Sequence, residues 1–150
     1  MAVTINGSGQ IIVQVQSYTL NTAVTSSSTS PVSIGLNVNI TPTSASNKIL
    51  IFADVFSSSN NQAYFLLYRN STPINQTAVS ATHQMSFGSA VNANNYFAQA
   101  AHSFLDSPAT TSAITYGVYL DTDGTVYINR RGADTYNGAT STITVMEISG

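Results

Sequence analysis

Between Val32 and Ile40 the chain reads VSIGLNVNI, with Val32, Ile34, Leu36, Val38 and Ile40 alternating against Ser33, Gly35, Asn37 and Asn39. A period of two sends successive side chains to opposite faces of an extended strand, so this stretch has one apolar and one wet face. The period recurs along most of the chain. Gln10 to Gln16 alternates Ile11, Val13 and Val15 against Ile12, Gln14 and Gln16, and Tyr18 to Val24 continues it after a break. Lys48 to Phe56 and Gln62 to Arg69 are denser in apolar residues, which predicts central strands covered on both sides. Ser57 to Asn61 between them has the composition of a hairpin loop.

Further along, Asp106 to Thr111 (DSPATT) is a turn, because Pro108 fixes its own φ and pushes Ser107 toward extended geometry. Ala113 to Leu120 and Thr125 to Arg130 flank Asp121, Thr122, Asp123 and Gly124, a hairpin signal. Thr140 to Ile148 is rich in β-branched residues and predicts a last strand. Asn92 to Phe104 has the alanine content of a helix, but Tyr96, Ala98, Ala100 and His102 alternate against Phe97, Gln99, Ala101 and Ser103, so it is assigned to strand. The result is about eight to ten short strands with turns every 8–12 residues or so, the expectation for an antiparallel β-sandwich and most specifically a jelly roll. No repeat of solenoid or propeller length is visible.

Composition narrows the function. The 150 residues fit one domain, expected as a jelly roll over 31–150 preceded by an N-terminal strand or arm over 1–30 that docks elsewhere or pairs between subunits. Ser, Thr and Asn supply 54 residues, while only four cations and six carboxylates are present, and cysteine is absent. Disulfides and thiolate sites are therefore excluded. Lys48, Arg69, Arg130 and Arg131 are too few to neutralise a phosphate backbone, and the net charge of −2 opposes anionic partners, so neither nucleic acid nor membrane is expected as a partner. The N-terminus lacks the basic and apolar regions of a secretory signal, and the longest apolar run, Ile49 to Ala53, is too short to span a membrane.

Catalytic constellations are hard to assemble from these residues. His83 and His102 are the only groups that titrate naturally near neutrality, and a packed structural role is expected for both. No HExxH spacing occurs, Asp121 and Asp123 lack the closing Glu of a calcium loop, and Gly7-Ser8-Gly9 does not complete a nucleophile elbow. A glycosidase carboxylate pair is not selected by any spacing. The expectation is a protein that is not an enzyme and has no cofactor. Sequons at Asn6, Asn39, Asn70 and Asn75 are what an Asn- and Thr-rich chain produces by chance. Arg130 and Arg131 with Asp134 form the densest charge cluster, readable as a solvated loop or as an ion pair between subunits. Glu147, in phase with Ile143 and Val145, is expected to face inward and to need Lys48 or an arginine.

Four segments taken together, NITPTSASNKILIFADV (Asn39 to Val55), FLLYRNSTPI (Phe65 to Ile74), SFLDSPATTSAITYGVYLDTDGTVYINR (Ser103 to Arg130) and STITVMEI (Ser141 to Ile148), resemble small virion modules of tailed phages, especially cyanophages. The resemblance runs from about Val32 to Ile148 and implies a jelly roll similar to the trimeric C1q and tumour-necrosis-factor architecture, without a catalytic motif. It implies a homotrimer with few ions to strand at its interfaces. Tyr64, Phe65, Tyr68, Tyr96, Phe97, Tyr116, Tyr119 and Tyr127 are the aromatic interface candidates, joined by Ile11, Val13 and Val15 of the arm and by Arg130 and Arg131. The short segment before the resemblance favours a capsid decoration or cement protein on the outer surface of the head, bound to the major capsid protein by β-augmentation. The alternative is a tail-fibre tip recognising host surface polysaccharide.

Overall fold

The computed structural model describes residues 11–76, 81–90 and 96–150. Eleven strands account for its regular structure: β1 (Ile12–Leu20), β2 (Val24–Ser26), β3 (Val32–Ile40), β4 (Lys48–Ser59), β5 (Gln62–Arg69), β6 (Thr72–Ile74), β7 (Phe87–Ala90), β8 (Ala98–Asp106), β9 (Ile114–Thr122), β10 (Val126–Ile128) and β11 (Ser141–Ile148). No helix occurs among the described residues.

Two antiparallel sheets face each other. In the first, β1, β11, β4 and β8 lie side by side, with the short β10 and β2 continuing beyond β11 along the same edge of β4. In the second, β3, β9 and β5 are followed by β6 and β7, which share the far edge of β5. Setting aside β2, β6 and β10, the first, eighth, third and sixth main strands oppose the second, seventh, fourth and fifth. That is jelly-roll order.

The core is the layer between the sheets. Ile34, Leu36, Val38 and Ile40 of β3 and Ile114, Tyr116, Val118 and Leu120 of β9 meet Ile49, Ile51, Ala53 and Val55 of β4 and Ile143 and Val145 of β11. Alternation in β3 translates into alternating burial, even though pairing with β9 shifts register between Ser33 and Asn37, where Gly35 takes a left-handed φ of 81°.

Several expectations change. β1 runs without the break expected after Gln16 and pairs with β11 inside its own sheet, and Val24–Ser26 pairs with β10. Most of the described part of the expected arm is thus built into the sandwich, anchored by buried Leu20. Residues 1–10, including Gly7, Ser8 and Gly9, lie outside the described residues, as do 91–95.

The expected loop at Ser57 to Asn61 shrinks to Asn60 and Asn61, because β4 continues through Ser59 with all three serines buried. Ser58 Oγ donates to the carbonyl of Arg130, and Ser59 Oγ donates to that of Asn61, so these hydroxyls are satisfied as the strand carries them inward. Neither predicted hairpin is one. β4 and β5 belong to different sheets, as do β9 and β10, so both turns carry the chain across the core. The two crossings are bound together: Asn60 Oδ1 accepts from Thr125 N at 2.7 Å, and Asn60 N donates to Thr125 O at 3.2 Å.

β5 is covered on both sides, with Ala63 to Leu67 buried throughout. β4 is not. Its inner residues are buried, but Phe52 on the other face is 43% exposed, since no element lies over that face among the described residues.

Candidate interaction surfaces

The open face of the first sheet follows from register. Val15 pairs with Met146, Met146 with Leu50, and Leu50 with Leu105, so one apolar row crosses β1, β11, β4 and β8. The next row is Ser17, Thr144, Phe52 and Ser103, and the one after it ends in Asp54 and Ala101. Val15 is 48% and Leu105 47% exposed. Ile12, opposite Ile148, extends the patch at the start of β1. A depression of about 480 Å³ borders Phe52, Asp54, Ser103, Thr142 and Thr144. Asp54 Oδ2 accepts from Gln99 Nε2 at 2.8 Å. A sheet face this poor in charge can be covered at little desolvation cost, and contiguous exposed apolar surface marks contact sites.

The candidates named from sequence scatter over the molecule: Val15 lies in the apolar rows of this face, while Phe97 and Tyr127 sit toward its β10 end, against Phe56 and opposite Ser58. Val13 is half-buried nearby, and Ile11, 43% exposed, accepts through its carbonyl from Ser149 N at 2.9 Å. Tyr116 was expected as a contact residue and is instead wholly buried in the core, where its hydroxyl donates to Asp106 Oδ2 at 2.6 Å. Asp106 also receives Arg69 Nη1 at 2.9 Å, so the pocket satisfies both the hydroxyl and the carboxylate. Burial raises the Tyr116 phenol, and the hydrogen bond to Asp106 adds to the effect. Phe65 is likewise core.

The remaining aromatics take other positions. Tyr64 is buried, Tyr68 and Tyr119 stack at 3.9 Å on the outer side of the second sheet, and Phe97 meets Phe56 edge-on at 6.4 Å. Tyr96 is 73% exposed. Tyr127 lies under the Arg130 guanidinium at 4.4 Å, a cation–π pair. Arg131 grips Asp134 through two bonds, Nε to Oδ1 at 2.6 Å and Nη2 to Oδ2 at 2.7 Å, and holds that carboxyl below its usual range. The Arg131–Asp134 pair is thus closed within one chain.

Phe52, Leu50, Leu105 and Met146 were not singled out in the sequence. The signal was there: Lys48 to Phe56 carries apolar residues in both phases, which means either a covered strand or an exposed apolar face.

Glu147 is fully buried, as its phase predicts, but no cation meets it among the described residues. Its Oε1 accepts from Thr43 N at 2.7 Å, Thr43 Oγ1 at 2.8 Å and Asn47 Nδ2 at 2.6 Å, and its Oε2 from Gln14 Nε2 at 2.6 Å. Burial pushes the carboxyl up, but the donors from Asn47, Gln14 and Thr43 outweigh it and hold it down at about 2. Neutral donors replace the expected Lys48 or arginine.

The outer side of β5 carries a second cluster. His83 stacks on Tyr64 at 4.5 Å with the rings 6° from parallel, and its two ring nitrogens face Asp121 Oδ2 and Asp123 Oδ1, each at 2.9 Å. Beside it, a depression of about 350 Å³ is lined by Leu66, Tyr68, Pro73, Thr82, Gln84 and Asp121. His102 stacks on Phe87 at 5.3 Å with Nε2 2.6 Å from Asn75 Nδ2, and burial lowers its pKa. Among the described residues, no three histidines or carboxylates are placed to hold a metal ion.

No protein-family model matches this chain, and no curated protein matches it. Among solved structures, the chain is similar to a protein in the structure of infectious bursal disease virus, Gx strain, with a TM-score of 0.41 and 13% identity. The match covers 99% of this chain and 46% of the viral one, so the chain spans less than half the length of that neighbour.

Proposed function

We propose that this chain is a structural protein of a tailed-phage virion: a homotrimeric decoration, or cement, protein bound to the major capsid protein on the outer surface of the head. The observation that carries the reading is the apolar row of Val15, Met146, Leu50 and Leu105, with Phe52 beside it, on a sheet face without a covering element among the described residues. Turned toward a threefold axis, it removes apolar surface from water and strands few ions. The outer edge of β1, which among the described residues pairs with no strand but β11, is then the place where a capsid strand adds by β-augmentation. A partner that binds only the assembled shell stabilises that shell by linkage.

Copy number tests this. Quantitative mass spectrometry of purified virions is expected to find hundreds of copies per particle, and light scattering of the isolated protein about 47 kDa, three times the 15.8 kDa chain. A few copies per particle, or a monodisperse monomer that also fails to bind purified heads, sinks the decoration reading.

A second reading, a tail-fibre tip that binds neutral host polysaccharide, is favoured by the depression on the second sheet. Its lining of hydroxyls, amides and the Tyr68 ring suits a sugar, with a carboxylate beside it at Asp121. Specific binding of host envelope polysaccharide, lost in Tyr68→Ala, together with low copy number, would favour this reading over the first.

A further inference from the structure

Residues 81–86 cross the outer face of β5, and two different kinds of attachment hold them there. At one end, Ser86 N donates to Phe65 O at 2.9 Å, Ser86 Oγ donates to Ile74 O at 2.9 Å, and the same oxygen accepts from Leu67 N at 2.9 Å. These neutral bonds are insensitive to pH. At the other end His83 is an ionic attachment, with Asp121 of β9 on Nδ1, Asp123 of the following turn on Nε2, and Tyr64 of β5 under the ring.

A neutral imidazole carries one N–H, and its second nitrogen is an acceptor. Two carboxylates at 2.9 Å on opposite sides of the ring need two donors, so this geometry selects the imidazolium. If the ring is neutral, one lone pair faces an anionic oxygen at hydrogen-bond distance. Asp121, Asp123 and Tyr64 are the titratable groups that face the ring among the described residues, and Tyr64 keeps its proton, its single O–H shared between Gln62 Oε1 at 2.6 Å and Asp123 Oδ2 at 3.1 Å.

The two carboxylates are unequal. The Asp121 side chain is 6% exposed and its Oδ1 has no hydrogen-bond partner, so Asp121 depends on the Nδ1 proton. The Asp123 side chain is 44% exposed and can exchange its bond to the ring for water. When one proton leaves, the remaining one therefore stays on Nδ1, and the Nε2–Asp123 contact is the one that breaks.

We propose that His83 is a proton-operated latch: as imidazolium it pins residues 81–85 between β5 and the β9–β10 crossing, and on losing its Nε2 proton it releases Asp123 and loosens that segment. The loosened segment uncovers the outer side of Tyr64 and Leu66 and opens the wall of the neighbouring depression formed by Thr82 and Gln84. The sign follows from the carboxylates, which raise the folded-state pKa of the ring above 6.5. The latch is fully closed below that pH and opens as the pH rises through the raised value.

Hydrogen–deuterium exchange on the whole protein, corrected for the intrinsic pH dependence of exchange, tests it. Protection over 81–85 is expected to fall severalfold between about pH 5.5 and pH 9 while β11 is unchanged, and in His83→Gln to be low at both values. Equal protection at both pH values in the wild type, or the same pH dependence in His83→Gln, overturns the proposal. Should His83→Gln fail to fold, nitrogen chemical shifts of the wild-type ring decide: the latch requires a titration above 6.5 ending in the Nδ1–H tautomer, and a midpoint at or below 6.5, or an Nε2–H end state, removes it.

Discussion

Gln14 and Glu147 stand 133 residues apart in the chain and meet through a 2.6 Å hydrogen bond from Nε2 to Oε2. The other oxygen of Glu147 gathers Thr43 and Asn47 from the β3–β4 connection. One buried carboxylate thereby joins the first strand, the last strand and a crossing loop.

Glu147→Gln keeps the volume but turns an NH₂ group toward donors. A loss on the order of 3 kcal/mol is expected, read from urea midpoints near neutral pH. With the folded carboxyl at about 2 and its ordinary value 4.5, the wild-type advantage is complete above pH 4.5 and fades as pH falls toward 2. A wild-type-to-variant gap that stays constant down to pH 2.5 or so would contradict this.

Asp106, buried between Arg69 and Tyr116, predicts an order of effects. Arg69→Ala leaves a buried anion without its cation and should cost about 3 kcal/mol, the lower end for such a loss because Arg69 is 30% exposed. Tyr116→Phe removes one hydrogen bond and should cost about 1–2 kcal/mol. Thermal or chemical denaturation of both variants checks the ranking, and the reverse order would refute it.

Asn129 adopts φ 60° and, nearly buried, donates to Leu20 O at 2.7 Å and Thr22 O at 3.1 Å while accepting from Ser141 Oγ at 2.6 Å. Ala and Gly both lose these bonds, but only Ala pays for a left-handed backbone. Asn129→Ala is therefore expected to be less stable than Asn129→Gly by about 1 kcal/mol. Equal stabilities in paired unfolding curves would mean the backbone relaxes there.

On the open sheet face, Phe52→Ser and Leu105→Ser remove apolar surface without touching the core. Each should leave the monomer's unfolding free energy within about 0.5 kcal/mol and, on the proposed trimeric reading, shift the oligomer toward monomer in concentration-dependent light scattering. An unchanged trimer in the double variant would place the threefold contact elsewhere.

Period-two alternation made β3, β5, β9 and β11 legible within a residue or two, because each buries one phase or is apolar in both; it revealed β8 as a strand but placed its start six residues too early, at Asn92 and not Ala98. Sheet membership was not legible. Asp-Gly and Ser-Asn turns look the same whether the chain folds back on its neighbour or crosses the core, and the difference lies in contacts such as Asn60 with Thr125 that no local pattern encodes. The phase of Glu147 gave its burial, but Thr43, Asn47 and Gln14 are common residue types that nothing marks as its partners. Tyr116 shows the limit for interfaces: composition nominates aromatics, and only packing separates those that face the core from those that face a neighbour.

Among the described residues, β11 is the one strand that pairs with β1. At a ribosomal pace of about 5–20 residues per second, the first strand waits on the order of ten seconds for the segment that completes its sheet. Throughout that interval, Val15 and the backbone edge beside it are without the strand that pairs with them and are open to other chains. Assembly between chains and folding within a chain therefore compete for the same edge, and the rate of translation helps decide which comes first.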